Sequence, residues 1–192
     1  MPFLSVQQSL KSLDERILES LFVCHERSKL PRALYYLCLF CELSGHGVLW
    51  FGGAALATLL APAEEARLIS LYLLLLLALD VVLVAPVKVA FKRPRPAVNR
   101  GRGIMFSVST VDSYAFPSGH ASRVVAVAIF LIPWLSHTAS LLVLVWAGCV
   151  CWTRILLGRH HPSDVAAGVL AGCIVAWCTS LVQGALQSPS LI

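Results

Sequence analysis

Charge is what this sequence has little of. Asp, Glu, Lys and Arg make up 13% of its 192 residues, while 58% are hydrophobic. A soluble domain usually carries about a quarter charged residues, so there is too little polar surface here to coat a water-soluble globule. The mean hydropathy of +0.79 points the same way. The partner this composition suits is membrane lipid, not nucleic acid. Other absences narrow the reading further. Met1-Pro2-Phe3 is not followed by a basic stretch and a short apolar stretch, so no cleavable signal peptide is predicted. Targeting is expected from internal spans. Cys38-Leu-Phe-Cys41 has no second Cys/His pair nearby at ligand spacing, which argues against a zinc site. Six of the seven cysteines lie in apolar runs and read as small apolar residues. There are no internal repeats of the kind many transporters show. No linker suggests a second domain, and one domain fits this length.

What is present is a series of apolar runs. Residues 1–32 form a charged surface segment, with an amphipathic helix expected around Leu10–Val23. Residues 33–186 are expected to form one helical membrane domain, and 187–192 a tail. Within that domain a short helix over 33–43 meets a break at Ser44-Gly45-His46-Gly47 and continues as a span over 48–60. Further spans are expected over 68–87, 120–135, 139–157 and 163–184. The fold class is therefore all-α, with about five crossings of a bilayer whose core takes about 20 residues to cross. Five crossings put the N-terminal segment and loops 88–118 and 158–162 on one side. Of fifteen Lys/Arg, only Arg67 then falls on the other side. The positive-inside rule places the basic side in the cytosol.

Three polar clusters end or begin spans on that basic side. They are Lys88-x6-Arg95-Pro96, Pro117-Ser118-Gly119-His120, and Thr153-Arg154-x5-His160-x3-Asp164. Charge at membrane depth is costly and usually functional. Each cluster suits an anionic phosphoryl group. Lys88, Arg95 and Arg154 offer cations, and the arginine fork matches phosphate oxygens. Ser118 and Gly119 open a helix, where unpaired N–H groups and the helix dipole favour an anion. His160 can attack phosphorus to form a phosphohistidine. Asp164, in the first turn of a helix opened by Pro162, can accept the other ring N–H and fix the tautomer. His120 can protonate the leaving oxygen and then activate water. Phosphoryl transfer mainly needs positioning and charge stabilisation, which this set supplies without a metal or other cofactor.

In order and spacing the three clusters resemble the signature of the type 2 phosphatidic acid phosphatase superfamily over about residues 88–168. The resemblance implies a helical membrane fold of the kind shared with vanadate-dependent haloperoxidases. It implies His160 as nucleophile with Asp164 as its partner and His120 as general acid/base. Lys88, Arg95, Ser118, Gly119 and Arg154 would bind phosphate. Thr153 stands where the family usually has serine, and a hydroxyl is retained. Ser44-Gly45-His46-Gly47, Asp112-Ser-Tyr114-Ala-Phe116-Pro117 and Leu157-Gly158-Arg159-His160 look most like the presqualene/polyisoprenoid diphosphate phosphatase branch. That branch implies magnesium-independent hydrolysis of presqualene, farnesyl and geranylgeranyl diphosphates at the endoplasmic reticulum and nuclear envelope. Phosphatidate, lysophosphatidate and dolichyl diphosphate stay open as substrates. So does a catalytically silent scaffold, although His120, Arg154 and His160 are all present.

The remaining polar residues have plainer readings. His161 adjoins His160, but only His160 has both motif gaps. Lys92 and Arg93 are expected to face headgroups or solvent. Asp80 is expected in a buried polar contact between helices, and Arg123 toward the site entrance. Glu42 and His46 are expected to mark the helix break, with a substrate gate as the sharper alternative. His25 and His137 read as surface residues. Trp50, Trp134, Trp146, Trp152 and Trp177 read as membrane-interface anchors.

Overall fold

A computed structural model describes residues 2–21, 32–99 and 113–187. His25, Asp112 and the end of the tail lie outside them. The described residues are helical, with no strand among them. Helix α1 spans Pro2–Leu21, α2 Arg32–Ser44, α3 Gly47–Leu60, α4 Glu64–Phe91, α5 Gly119–Leu131, α6 His137–Leu156 and α7 Pro162–Gln187. Short 3-10 turns cover Ala97–Asn99 and Ile132–Trp134.

The break expected after residue 43 is a bend of 52° between α2 and α3. The Cys41 carbonyl accepts from the Gly45 N–H and from the Ser44 hydroxyl, which ends α2. His46 then caps α3, its Nδ1 accepting from the Val48 N–H at 3.3 Å. A Cβ on Gly45 would sit 3.0 Å from Val150 and 3.1 Å from His120, so the bend lies close against the bundle and a side chain there would need its neighbours to shift. Trp50 and Trp146 both bond to Ser44 and stack 5.6 Å apart. They are therefore packed into the bend, not spread as interface anchors. Trp134, Trp152 and Trp177 are exposed.

Helices α4, α6 and α7 are long and apolar enough to cross a membrane, and the bent α2–α3 pair counts as a fourth. The remaining apolar segment, Gly119–Trp134, is shorter. At 1.5 Å per residue it covers only about 24 Å. It is the central helix, and one core cluster joins its Ala126, Val127 and Phe130 to Ala54, Leu76, Leu77 and Val175. A second joins Val124 and Ala128 to Cys41, Ala147 and Val150. Protein, rather than lipid, therefore surrounds most of α5. Cys41 lies in that core, in line with its reading as an apolar residue. Large apolar side chains such as Leu59, Val82, Leu142 and Leu170 stay exposed on the outer helices, where lipid is the solvent. Helix α7 approaches α5 through Gly168, where a Cβ would lie 2.5 Å from the Ser118 carbonyl oxygen. That contact sets the ends of α5 and α7 against each other at the site.

Candidate active site

The C-terminal ends of α4 and α6 and the N-terminal ends of α5 and α7 meet at one end of the bundle. The three polar clusters meet there too. Lys88 is buried in the last turn of α4 and donates from Nζ to the Tyr114 carbonyl at 2.8 Å. Lys92 closes α4 in the left-handed region, at φ 45°. This conformation costs a non-glycine residue about 1–2 kcal/mol, and it turns Arg93-Pro94-Arg95 back toward α7. The Arg93 carbonyl then accepts from the Ala115 N–H at 2.8 Å, and Arg95 NH1 donates to the Arg159 carbonyl at 3.3 Å.

Ser118 is the N-cap of α5, accepting from the Ala121 N–H through its side chain. Its own N–H donates to the Asp164 carbonyl at 2.9 Å and is committed to the fold. The hydroxyl proton and the first N–H groups of α5, on Gly119 and His120, remain for an anion. A Cβ on Gly119 would meet only Val84 and Lys88, at 3.8 and 3.9 Å. Packing of the protein itself does not demand glycine there. Among the described residues, His120 Nε2 is buried without a hydrogen-bond partner. Arg154 is 1% exposed, and both its Nε and its NH2 are buried without partners among the described residues. Such groups cost free energy unless a ligand completes them.

His160 is 2% exposed. Its Nδ1 lies 2.8 Å from the Ala115 carbonyl. A carbonyl only accepts, so Nδ1 carries the proton and Nε2 holds the lone pair. The expected Asp164 bond is not formed: Oδ2 stands 3.9 Å from His160 Nδ1. Asp164 instead accepts from the His161 N–H at 2.8 Å, with His161 Nδ1 at 3.1 Å. The reason is local. His161 precedes Pro162 at the start of α7, and an acid three residues on reaches back to the N-cap N–H, as in a capping box. Burial holds the His160 imidazole well below its usual pKa, reinforced by the charges of Arg95, Lys88, Arg154 and His120. Its neutral, nucleophilic form is thereby favoured.

The match to known proteins agrees with this assembly. The family model for the PAP2 superfamily covers residues 69–187, which contain all three clusters. The chain belongs to the PAP2 superfamily. With that membership it is a hydrolase of phosphate esters. Among relatives, an Arabidopsis thaliana protein named "Probable lipid phosphate phosphatase beta" is 36% identical over 149 residues, 64% of this chain and 68% of that one. The decaprenylphosphoryl-5-phosphoribose phosphatase of Mycobacterium tuberculosis is 37% identical over 84 residues, 44% of this chain and 46% of that one. Among solved structures, the transmembrane PAP2 type phosphatidylglycerolphosphate phosphatase of Bacillus subtilis superposes with a TM-score of 0.66. It is 21% identical, and the match covers 94% of this chain and 89% of that one. This is an integral-membrane PAP2 fold.

Some residues take places around this candidate site that the sequence reading did not assign. Glu42 of α2 reaches over the site, its Oε1 3.2 Å from Arg154 NH1 and 3.2 Å from Arg159 Nε. A lone acid in an apolar run is the signal that could have found it. Arg93 does not face headgroups: NH1 donates to Asp164 Oδ1 and NH2 to Asp14 Oδ2. Arg123 reaches Asp80 Oδ2 at 3.3 Å and the Gly45 carbonyl at 3.4 Å. Asp80 also accepts a hydrogen bond from the Ser122 hydroxyl and is fully buried, the helix-to-helix contact expected of it.

Proposed function

We propose that this PAP2 protein hydrolyses lipid phosphates through a phosphohistidine at His160, without a metal. The observation that carries the reading is the Ala115 carbonyl on His160 Nδ1. It leaves the Nε2 lone pair for phosphorus. In the first step the Nε2–P bond forms and the P–O bond to the lipid breaks. Protonated His120 gives its Nε2 proton to the departing oxygen. In the second step His120 takes a proton from water, the water oxygen bonds to phosphorus, and the P–N bond breaks to release phosphate. Lys88, Arg95, Arg154 and the opening N–H groups of α5 take up the phosphoryl charge. The Arg154 Nε–NH2 edge, buried without partners among the described residues, is the planar fork suited to two phosphate oxygens. Asp164 acts through the backbone, by capping α7 beside His160.

For the lipid we propose a polyisoprenoid diphosphate or monophosphate, handled on the cytosolic face of the endoplasmic reticulum or nuclear envelope. This rests on the branch-like motifs around Ser44–Gly47 and Gly158–His160 and on the one-sided Lys/Arg distribution. The mycobacterial relative, whose name specifies a decaprenylphosphoryl compound, supports the isoprenoid choice. The plant relative's name supports lipid phosphates more broadly, and phosphatidate is its natural comparison substrate. The test is phosphate release from farnesyl diphosphate and from phosphatidate in detergent, with EDTA present. Faster release from farnesyl diphosphate is expected, and His160→Ala is expected to abolish it. Release at the wild-type rate by His160→Ala would refute the histidine mechanism. Strong inhibition by EDTA would refute the metal-free reading, and preference for phosphatidate the isoprenoid assignment.

A further inference from the structure

Arg93 is held between two carboxylates from distant parts of the chain. Its NH2 donates to Asp14 Oδ2 of α1 at 2.6 Å, and its NH1 to Asp164 Oδ1 of α7 at 2.7 Å. Asp14 also accepts from the Ser163 N–H at 3.0 Å and from the Ser163 hydroxyl. Burial opposes a charged Asp14, but Ser163 and Arg93 outweigh it and hold the carboxyl below the usual carboxylate range.

The place of Asp14 on α1 is unusual for a surface helix. Asp14, Leu18 and Leu21 share one face by their helical spacing, and Asp14 and Leu18 are buried while Lys11, Glu15, Arg16 and Glu19 are exposed. A helix that only lay on lipid would keep acids off its apolar face. Leu18 clusters with Ala121, Ile155 and Val165. Each follows a site residue by one position: His120, Arg154 and Asp164. Helix α1 thus sits behind the three helix ends that carry the site.

We propose that Asp14 is a positioning residue for the phosphatase reaction, and that α1 is part of the framework of the active site. Asp14 fixes Arg93, and Arg93 fixes the Asp164 carboxylate. Asp164 in turn holds the His161 N–H through its side chain and the Ser118 N–H through its carbonyl. Those two bonds set the backbone beside His160 and the start of the His120 helix. The inference rests on the roles given above to His160 and His120.

Phosphate release by the full chain in detergent, with farnesyl diphosphate and phosphatidate as probes, tests it. Asp14→Asn is expected to lower kcat about tenfold to hundredfold, the scale of an ångström-sized misplacement, with KM within about twofold. Asp14→Glu is expected to restore most of the loss. Adding Asp14→Asn to Arg93→Gln should cost nothing further, because both changes break one chain of contacts. Wild-type kcat in Asp14→Asn, a loss confined to KM, or a fully additive double variant would overturn the proposal. Should Asp14→Asn fail to fold, Arg93→Lys reads the same contact from its other end, since an ammonium cannot fork between both carboxylates. Wild-type kcat there would also overturn it. His160→Ala run alongside separates the two readings. An inactive His160→Ala with a fully active Asp14→Asn defeats only the positioning role. An active His160→Ala defeats the mechanism on which that role rests.

Discussion

Replacing Glu42 with glutamine keeps the shape of the side chain and removes its charge. Glu42 Oε1 lies 3.2 Å from Arg154 NH1, and Arg154 is 1% exposed. At that separation and an effective dielectric of about 20, the Coulomb attraction is about 5 kcal/mol. Desolvation of both groups offsets part of it. Removing one partner of a buried pair nevertheless costs about 3–5 kcal/mol, because the other charge is left uncompensated. Glutamine can still accept a hydrogen bond, so the lower end, about 3 kcal/mol, is expected. For a chain of this size that lowers the melting temperature by about 6–12 °C. Phosphate changes the comparison. An anion beside Arg154 replaces the missing carboxylate, so phosphate should stabilise Glu42→Gln more than wild type by mass action. The assay is thermal unfolding in detergent, with and without phosphate. Equal melting temperatures without phosphate, or equal stabilisation by phosphate, would show that Glu42 is not the counter-ion of Arg154.

Two further outcomes follow from the same geometry. A group whose pKa is lowered stays neutral to lower pH. The acid limb of kcat/KM, which reports the free enzyme, should therefore fall below the ordinary histidine value of about 6.5, once the titration of the substrate is subtracted. A limb at or above that value would contradict the burial of His160 among cations. Gly168→Ala would press a methyl to 2.5 Å from the Ser118 carbonyl. Overpacking of this kind costs about 1–3 kcal/mol, so a lower melting temperature and a lower kcat are expected together, and wild-type values for both would rule the contact out as a determinant of the site.

Most of the helices were legible because a bilayer imposes a simple rule: long apolar runs must be helices that satisfy their own backbone. The bend at Ser44–Gly47 was legible from two glycines in an apolar run. The start of α1 was not, because a surface helix has no hydrophobic thickness to delimit it. Helix α5 was readable as helix but not as the central one, since lipid and protein interior select the same side chains. Motif spacing pointed to His120, Arg154 and His160 as candidates, and the fold brings them to one end of the bundle. The motif suggested the wrong partner for His160, because spacing along a chain does not say which of two neighbouring histidines a carboxylate will cap.

By itself, the sequence determined that this chain lives in a membrane, is helical, and concentrates cations and two imidazoles at helix ends on one side. Those are properties of composition and local order, and each is stated by residue type and interval. Only the tertiary structure decided that a backbone carbonyl, Ala115, sets the His160 tautomer, that Glu42 balances Arg154, and that Asp14 reaches Asp164 through Arg93. A carbonyl has no residue type to read. The partners in the other contacts stand 79, 71 and 112 residues apart. No pattern along the chain links them, and they meet only because α1, α2, α6 and α7 pack around one end of the same bundle.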